Sequence, residues 1–128
     1  MNLPPKSHHM ITLAEASVLT ANYRIQTKSP VKGGMFWKEA IERVINQPDV
    51  IGMRYYYARQ ENGTPALVLV GVDTKGNDVY RGVLAEVSWL CPPFCPEVNV
   101  LNSSREKVEW VGIKNKRREK CSSTQEVS

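Results

Sequence analysis

The sequence predicts an α+β fold in which two N-terminal helices pack on a three-stranded antiparallel meander, followed by a proline-rich cysteine strap and a mobile basic tail. Three observations carry this. Apolar residues recur at helical spacing only in the first part of the chain, extended and alternating segments come after them, and short glycine- and asparagine-containing turns separate those segments. Helices followed by strands, rather than an alternation of the two, point away from a parallel doubly wound sheet.

The first helix is predicted from Leu13 to Gln26. Thr12-Leu13-Ala14-Glu15 has the form of a capping box, in which the threonine hydroxyl and the glutamate carboxylate exchange bonds with each other's backbone amides. Leu13, Ala16, Leu19 and Tyr23 then recur at helical spacing. Pro30 and Gly33-Gly34 break the pattern. Phe36, Ala40, Ile41, Val44 and Ile45 predict a second amphipathic helix from Met35 to Asn46, ended by Pro48.

Three extended segments come next. Val50 to Ala58 places Ile51, Met53, Tyr55 and Tyr57 on one face and Arg54 and Tyr56 on the other. Asn62-Gly63 is a strong hairpin signal. Pro65 to Asp73 is almost wholly apolar, as befits a strand buried on both faces. A turn over Thr74 to Asp78 leads into a less regular strand over Val79 to Ser88. No internal repeat interrupts this order.

The strap, Cys91-Pro92-Pro93-Phe94-Cys95-Pro96, is stiff because proline fixes φ, lacks an amide proton and pushes the preceding residue toward extended geometry. Past Asn102, residues 104–113 read equally as a capped helix or an alternating strand. The polar end beyond them reads as disordered. The expected organisation is a mobile extension over 1–9, one α+β domain over 10–103 and a basic tail over 104–128.

Composition narrows the function classes. The chain has 128 residues, 41% hydrophobic and 23% charged, which fits a single globular domain. Its net charge of +4 is uneven: residues 1–100 hold ten basic against nine acidic side chains, and residues 101–128 seven against four. A neutral body with a basic tail argues against nucleic acid as the main partner. The start of the chain lacks the apolar run of a signal peptide. The run from Ala66 to Val72 is too short to cross a bilayer. The expectation is a cytoplasmic protein without membrane contact, whose three cysteines stay reduced.

Cys91 and Cys95 admit three readings: a redox pair, half of a metal site, or thiols on a rigid strap. Their spacing suits zinc, but Cys121, His8 and His9, the remaining soft ligands, lie in the chain ends. Redox chemistry needs a cation or helix terminus beside the thiol, and neither Trp89-Leu90 nor Phe94 supplies one. The Asp73 to Asp78 stretch resembles a calcium loop in composition, yet Lys75 stands where a ligand belongs and a hairpin turn accounts for the rest. Gly33-Gly34 reads as a loop entering a helix, not a phosphate cradle, because no strand is expected before it. No metal, cofactor or catalytic residue is assigned, and whether the chain is an enzyme stays open.

The chain resembles a group of small uncharacterised proteins of Bacteroidota-type bacteria. The resemblance lies in Ile11-Thr12-Leu13-Ala14-Glu15-Ala16, Ala21-Asn22-Tyr23-Arg24, Gly52-Met53-Arg54-Tyr55-Tyr56, Leu67 to Asp73 with Gly76-Asn77-Asp78, and Cys91 to Cys95. It spans about residues 10–103 and implies no activity, cofactor or site. The reading that results is a non-catalytic binding or interaction module, engaging a protein partner or a second copy. Its contact residues are expected among Arg54, Tyr56, Cys91, Phe94 and Cys95. The alternatives are a thiol-redox or metal-binding protein using Cys91 and Cys95, and nucleic-acid contact through the tail and tyrosine strand.

Overall fold

A computed structural model describes residues 3–86 and 88–103. The fold is α+β, with helices α1 (Leu13–Gln26) and α2 (Lys38–Ile45) and strands β1 (Gly33–Met35), β2 (Val50–Arg59), β3 (Pro65–Asp73), β4 (Leu84–Ala85) and β5 (Trp89–Cys91). Strands β2, β3 and β4 form an antiparallel three-stranded sheet in that order, and β1 pairs antiparallel with β5 in a separate ribbon. The described residues group into two units, one holding 29–95 with the first residues of the chain, the other holding 8–28 with 96–103. The expectations for the tail, for residues 104–113 and for Cys121 lie outside the described residues.

In the first unit β3 is the central strand, and its apolar run is buried on both faces over Leu69, Val70, Gly71 and Val72, as its sequence predicts. Register divides the sheet into two faces. Met53, Tyr55 and Tyr57 of β2 stand opposite Gly71, Leu69 and Leu67, while Gly52, Arg54 and Tyr56 stand opposite Val72, Val70 and Val68. The hairpin turn joining these strands keeps Gly63 at φ +89°, and Asn62 Oδ1 accepts from the Thr64 amide at 3.0 Å. At the other end of β2 the register shifts between Val50 and Gly52, leaving Ile51 as the extra residue of a bulge.

Helix α2 touches β2, β3 and β4 and turns Val44 wholly inward, at 0% exposure. It is shorter than the sequence suggests. Met35 belongs to β1, and Trp37 sits in extended geometry at the helix N-cap without a side-chain bond. Pairing of Gly33 to Met35 with β5 takes Met35, which local periodicity had assigned to the start of the helix. It also removes the glycines from any helix N-terminus. At Gly34 a Cβ would stand 2.9 Å from Ser88 Oγ, so a larger residue there requires that side chain to turn aside.

Gln47, just past α2, ties the helix to the sheet. Its amide donates to the Val44 carbonyl at 2.7 Å, and its carbonyl accepts from the Val83 amide at 2.8 Å. It also lies over Gly71, where a Cβ would come within 2.8 Å of a Val50 methyl and 3.4 Å of Gln47 Nε2. The third strand is therefore much shorter than the expected Val79 to Ser88. Gly82 turns back onto the Val79 carbonyl at 3.2 Å, Gln47 occupies the Val83 amide, and only Leu84 and Ala85 pair with β3, aided by an isolated bridge from Asp78 to Val72.

In the second unit α1 has the predicted boundaries and the predicted capping box, with the Glu15 amide donating to Thr12 Oγ1 at 3.1 Å and the Thr12 amide to Glu15 Oε1 at 3.0 Å. Its buried face differs from the expected one. Ser17, Val18 and Ala21 are buried, while Leu13, Leu19 and Tyr23 are exposed. Ser17 tolerates burial because its hydroxyl donates to the Ala14 carbonyl at 2.7 Å. Arg24 Nη1 donates to the Leu101 carbonyl at 2.6 Å, joining the end of the helix to the returning chain.

Two substitutions test this account of the first unit. Val44→Ala should destabilise by about 2 kcal/mol through the cavity it leaves. Gln47→Ala strands the Val83 amide and should cost about 1–3 kcal/mol. Urea unfolding monitored by tryptophan fluorescence measures both, and a Gln47→Ala midpoint equal to that of the parent would contradict the tie.

Candidate functional site

The sequence-predicted site residues fall into two groups, in different sheets. Arg54 and Tyr56 lie two apart on β2 and so project from the same face. Asp78 bridges to Val72 on the far side of β3, and Arg54 and Tyr56 both reach it. To do so they cross β3 over Val70 and Val72, whose side chains share that face and are buried. Arg54 Nη1 donates to one Asp78 oxygen, Tyr56 Oη donates to the other, and Arg54 Nη2 lies 3.4 Å from the Gly76 carbonyl.

Sequence reasoning had placed Asp78 only in a turn. What brings it here is the tight loop after β3, in which Asp73 Oδ1 accepts from the Lys75 and Asn77 amides, each at 2.9 Å, and Gly76 adopts φ +83°. The loop reverses the chain quickly enough to return Asp78 beside Val72. A signal was available: a short turn after a strand ending at Asp73 puts a residue a few positions later back in register.

The electrostatics fit a brace. The Tyr56 hydrogen bond holds the Asp78 carboxyl below its ordinary range, and the Arg54 contact adds to this against the opposing effect of desolvation. The same contacts raise the Tyr56 phenol, chiefly through its bond to Asp78, and raise the Arg54 guanidinium likewise. Asp78 is thus ionised at neutral pH with both oxygens engaged, which leaves it no proton to donate as a general acid.

The opposite face of β2 is open. Met53, Tyr55 and Tyr57 are 41%, 55% and 84% exposed. Tyr55 and Tyr57 meet edge to face at 5.6 Å, and their contact raises the Tyr57 phenol. The apolar row that alternation assigns to one face is therefore not the covered one. In the described structure β2 is also an edge strand, pairing with β3 alone.

Cys91, Phe94 and Cys95 form the second group, at the end of β5. Cys91 and Cys95 are joined by a disulfide, with their Cα atoms 4.7 Å apart, so the expectation of reduced thiols gives way here to a closed five-residue loop. Both peptide bonds entering Pro92 and Pro93 are cis. The Phe94 amide donates to the Leu90 carbonyl at 2.9 Å, and its ring meets Trp89 edge to face at 5.3 Å. Cys91 is buried and Cys95 exposed. With the two sulfurs bonded to each other, neither is a metal ligand in this state. No cluster of three or more His, Cys, Asp or Glu side chains suited to a metal occurs among the described residues. No described helix is long and apolar enough to cross a membrane.

The brace predicts a pH signature. Asp78 has a folded pKa below its unfolded value near 3.8, so the folded state binds fewer protons than the unfolded one in that window. The stabilisation is present above that value and is lost as pH falls through the folded pKa. Asp78→Asn should be less stable than the parent at neutral pH, and the gap should close in acid. Chemical denaturation across the acid range measures it, and a gap independent of pH would exclude the carboxylate as its source. No family model matches the chain, and no curated protein or solved structure is significantly similar to it.

Proposed function

We propose that this protein is a non-catalytic binding module that takes an extended polypeptide segment along the open edge of β2. The observation that carries this reading is a ten-residue strand, longer than the roughly five or six residues usual for strands, whose outer edge no described residue pairs. Unpaired amides and carbonyls on such an edge are a template for an added strand, with backbone bonds giving affinity and alternate side chains giving selectivity. Met53, Tyr55 and Tyr57 supply the apolar side chains on one face. Arg54 and Tyr56, expected to be contacts themselves, act in this reading as the brace that holds the edge strand to β3.

Strand addition is testable with extended peptides of alternating valine and threonine, each with a copy N-methylated at every second residue. The plain peptides should perturb backbone amide resonances of residues 50–59, and the methylated copies should not. Perturbation confined to α2 or the strap, or none at millimolar peptide, would reject the reading.

A second reading, thiol–disulfide exchange at the strap, is favoured by the bonded Cys91–Cys95 pair with one exposed sulfur. The same bond bears on the expected cytoplasmic placement, since thiols in that compartment are held reduced. Alkylation of the protein in quenched cells, followed by mass analysis, separates these. A strap disulfide in the cell supports exchange or an oxidising compartment. Two free thiols at 91 and 95 remove the exchange reading and agree with a cytoplasmic module. Contact with nucleic acid through the basic tail rests on residues outside the described structure.

A further inference from the structure

The geometry points to a second copy of this chain as the occupant of the β2 edge, paired antiparallel about a two-fold axis at Tyr55. This rests on the strand-addition reading and names its partner. A two-fold axis perpendicular to a sheet keeps each face continuous across the junction, so only registers that place like faces opposite each other are allowed. Two such registers give the longest overlap of β2 with itself. One is centred on Arg54 and the other on Tyr55.

The register centred on Arg54 places two guanidinium groups directly opposite each other, which is destabilising. The register centred on Tyr55 sets Tyr55 against the second copy's Tyr55, Met53 against its Tyr57, and Arg54 against its Tyr56. Beyond the bulge at Ile51, β2 pairs regularly from Gly52 to Arg59, and Tyr55 lies near the middle of that run. On the open face the pairing brings four tyrosines and two methionines together, aromatic and thioether side chains that pair well across strands. On the other face Arg54 stands opposite the second copy's Tyr56, so the two guanidinium groups, each paired with its own Asp78, are kept apart.

The edge also lacks the usual protection. Natural edge strands carry lysines, prolines or bulges that deter pairing. Here the bulge lies at one end and Arg59 at the other, and the centre has none. Arg59 is held by the Gly63 carbonyl of its own turn at 3.2 Å and opposes Ile51 in this register.

Sedimentation velocity of the full chain from roughly 1 to 300 µM spans the range where small interfaces associate. The mass should rise from 14.5 kDa toward twice that value. Tyr55→Lys, which sets two ammonium groups opposite each other, should stay monomeric throughout, with Tyr55→Glu as a second variant of the same design. Tyr80→Lys, on an exposed residue outside β2, should associate as the parent does. Met53→Lys and Tyr57→Glu should each weaken association at least about tenfold, and the double variant should recover it, because only this register sets position 53 against position 57. Far-UV circular dichroism checks that each variant folds.

A parent that is monomeric throughout overturns the inference, as does a folded Tyr55→Lys that dimerises like the parent. A double variant no tighter than the singles overturns the register. If the parent is monomeric while the alternating peptides still perturb residues 50–59, self-pairing fails and strand addition stands. If neither occurs, both fail.

Discussion

Burial of β3 on both faces is the constraint from which the rest of the first unit follows. A strand with valine and leucine side chains on either side needs two covers, and a chain of this length supplies them unequally. At the Gly71 position one cover is Gln47 beside Val50, whose methyl would stand 2.8 Å from a Cβ there. Across Val70 and Val72 the long side chains of Arg54 and Tyr56 lie over the apolar surface while their polar ends meet on Asp78. The aliphatic stem and the ring do the covering, and the charged ends stay satisfied.

That division of labour explains why the apolar row of β2 is the exposed one while Arg54 on the other face is half-buried. The brace requires Arg54 and Tyr56 on the inner face, so alternation forces Met53, Tyr55 and Tyr57 outward. Helix α2 is too short to cover them. At eight residues it spans about 12 Å, well under the length of β2. The exposed row is thus a consequence of how β3 is covered, and it is the surface on which the proposed strand addition would draw.

Local signals carried much of this into the sequence. The capping box fixed the start of α1, Asn62-Gly63 fixed the hairpin, and the unbroken apolar run fixed β3, because each depends on neighbours in sequence. What was not legible depends on distant residues. Strand β1 exists because Trp89 to Cys91 lies alongside it, and α2 starts later for the same reason. Arg54 and Tyr56 could be placed on a common face by counting, but their partner Asp78 emerges only once the loop after β3 has returned the chain. Periodicity likewise located the apolar face of β2 without saying that it is the open one, since that depends on the length of α2.

An account of polar groups separates the candidate surfaces. In the brace both Asp78 oxygens are engaged, and in the strap the sulfurs are bonded to each other while the Phe94 and Cys95 amides are taken by the Leu90 and Pro93 carbonyls. A group whose bonding capacity is already used gains little from a new ligand and must first give up what it has. The outer edge of β2 differs in kind. Every second residue of an edge strand presents an amide and a carbonyl outward, and these are obligatory hydrogen-bonding groups held in rigid order by the pairing on the other side. Water satisfies them, but an extended chain satisfies them while also covering Met53, Tyr55 and Tyr57. In the proposed reading the capacity for recognition in this unit lies in the backbone of β2, and the polar side chains first read as contacts serve to hold that backbone in place.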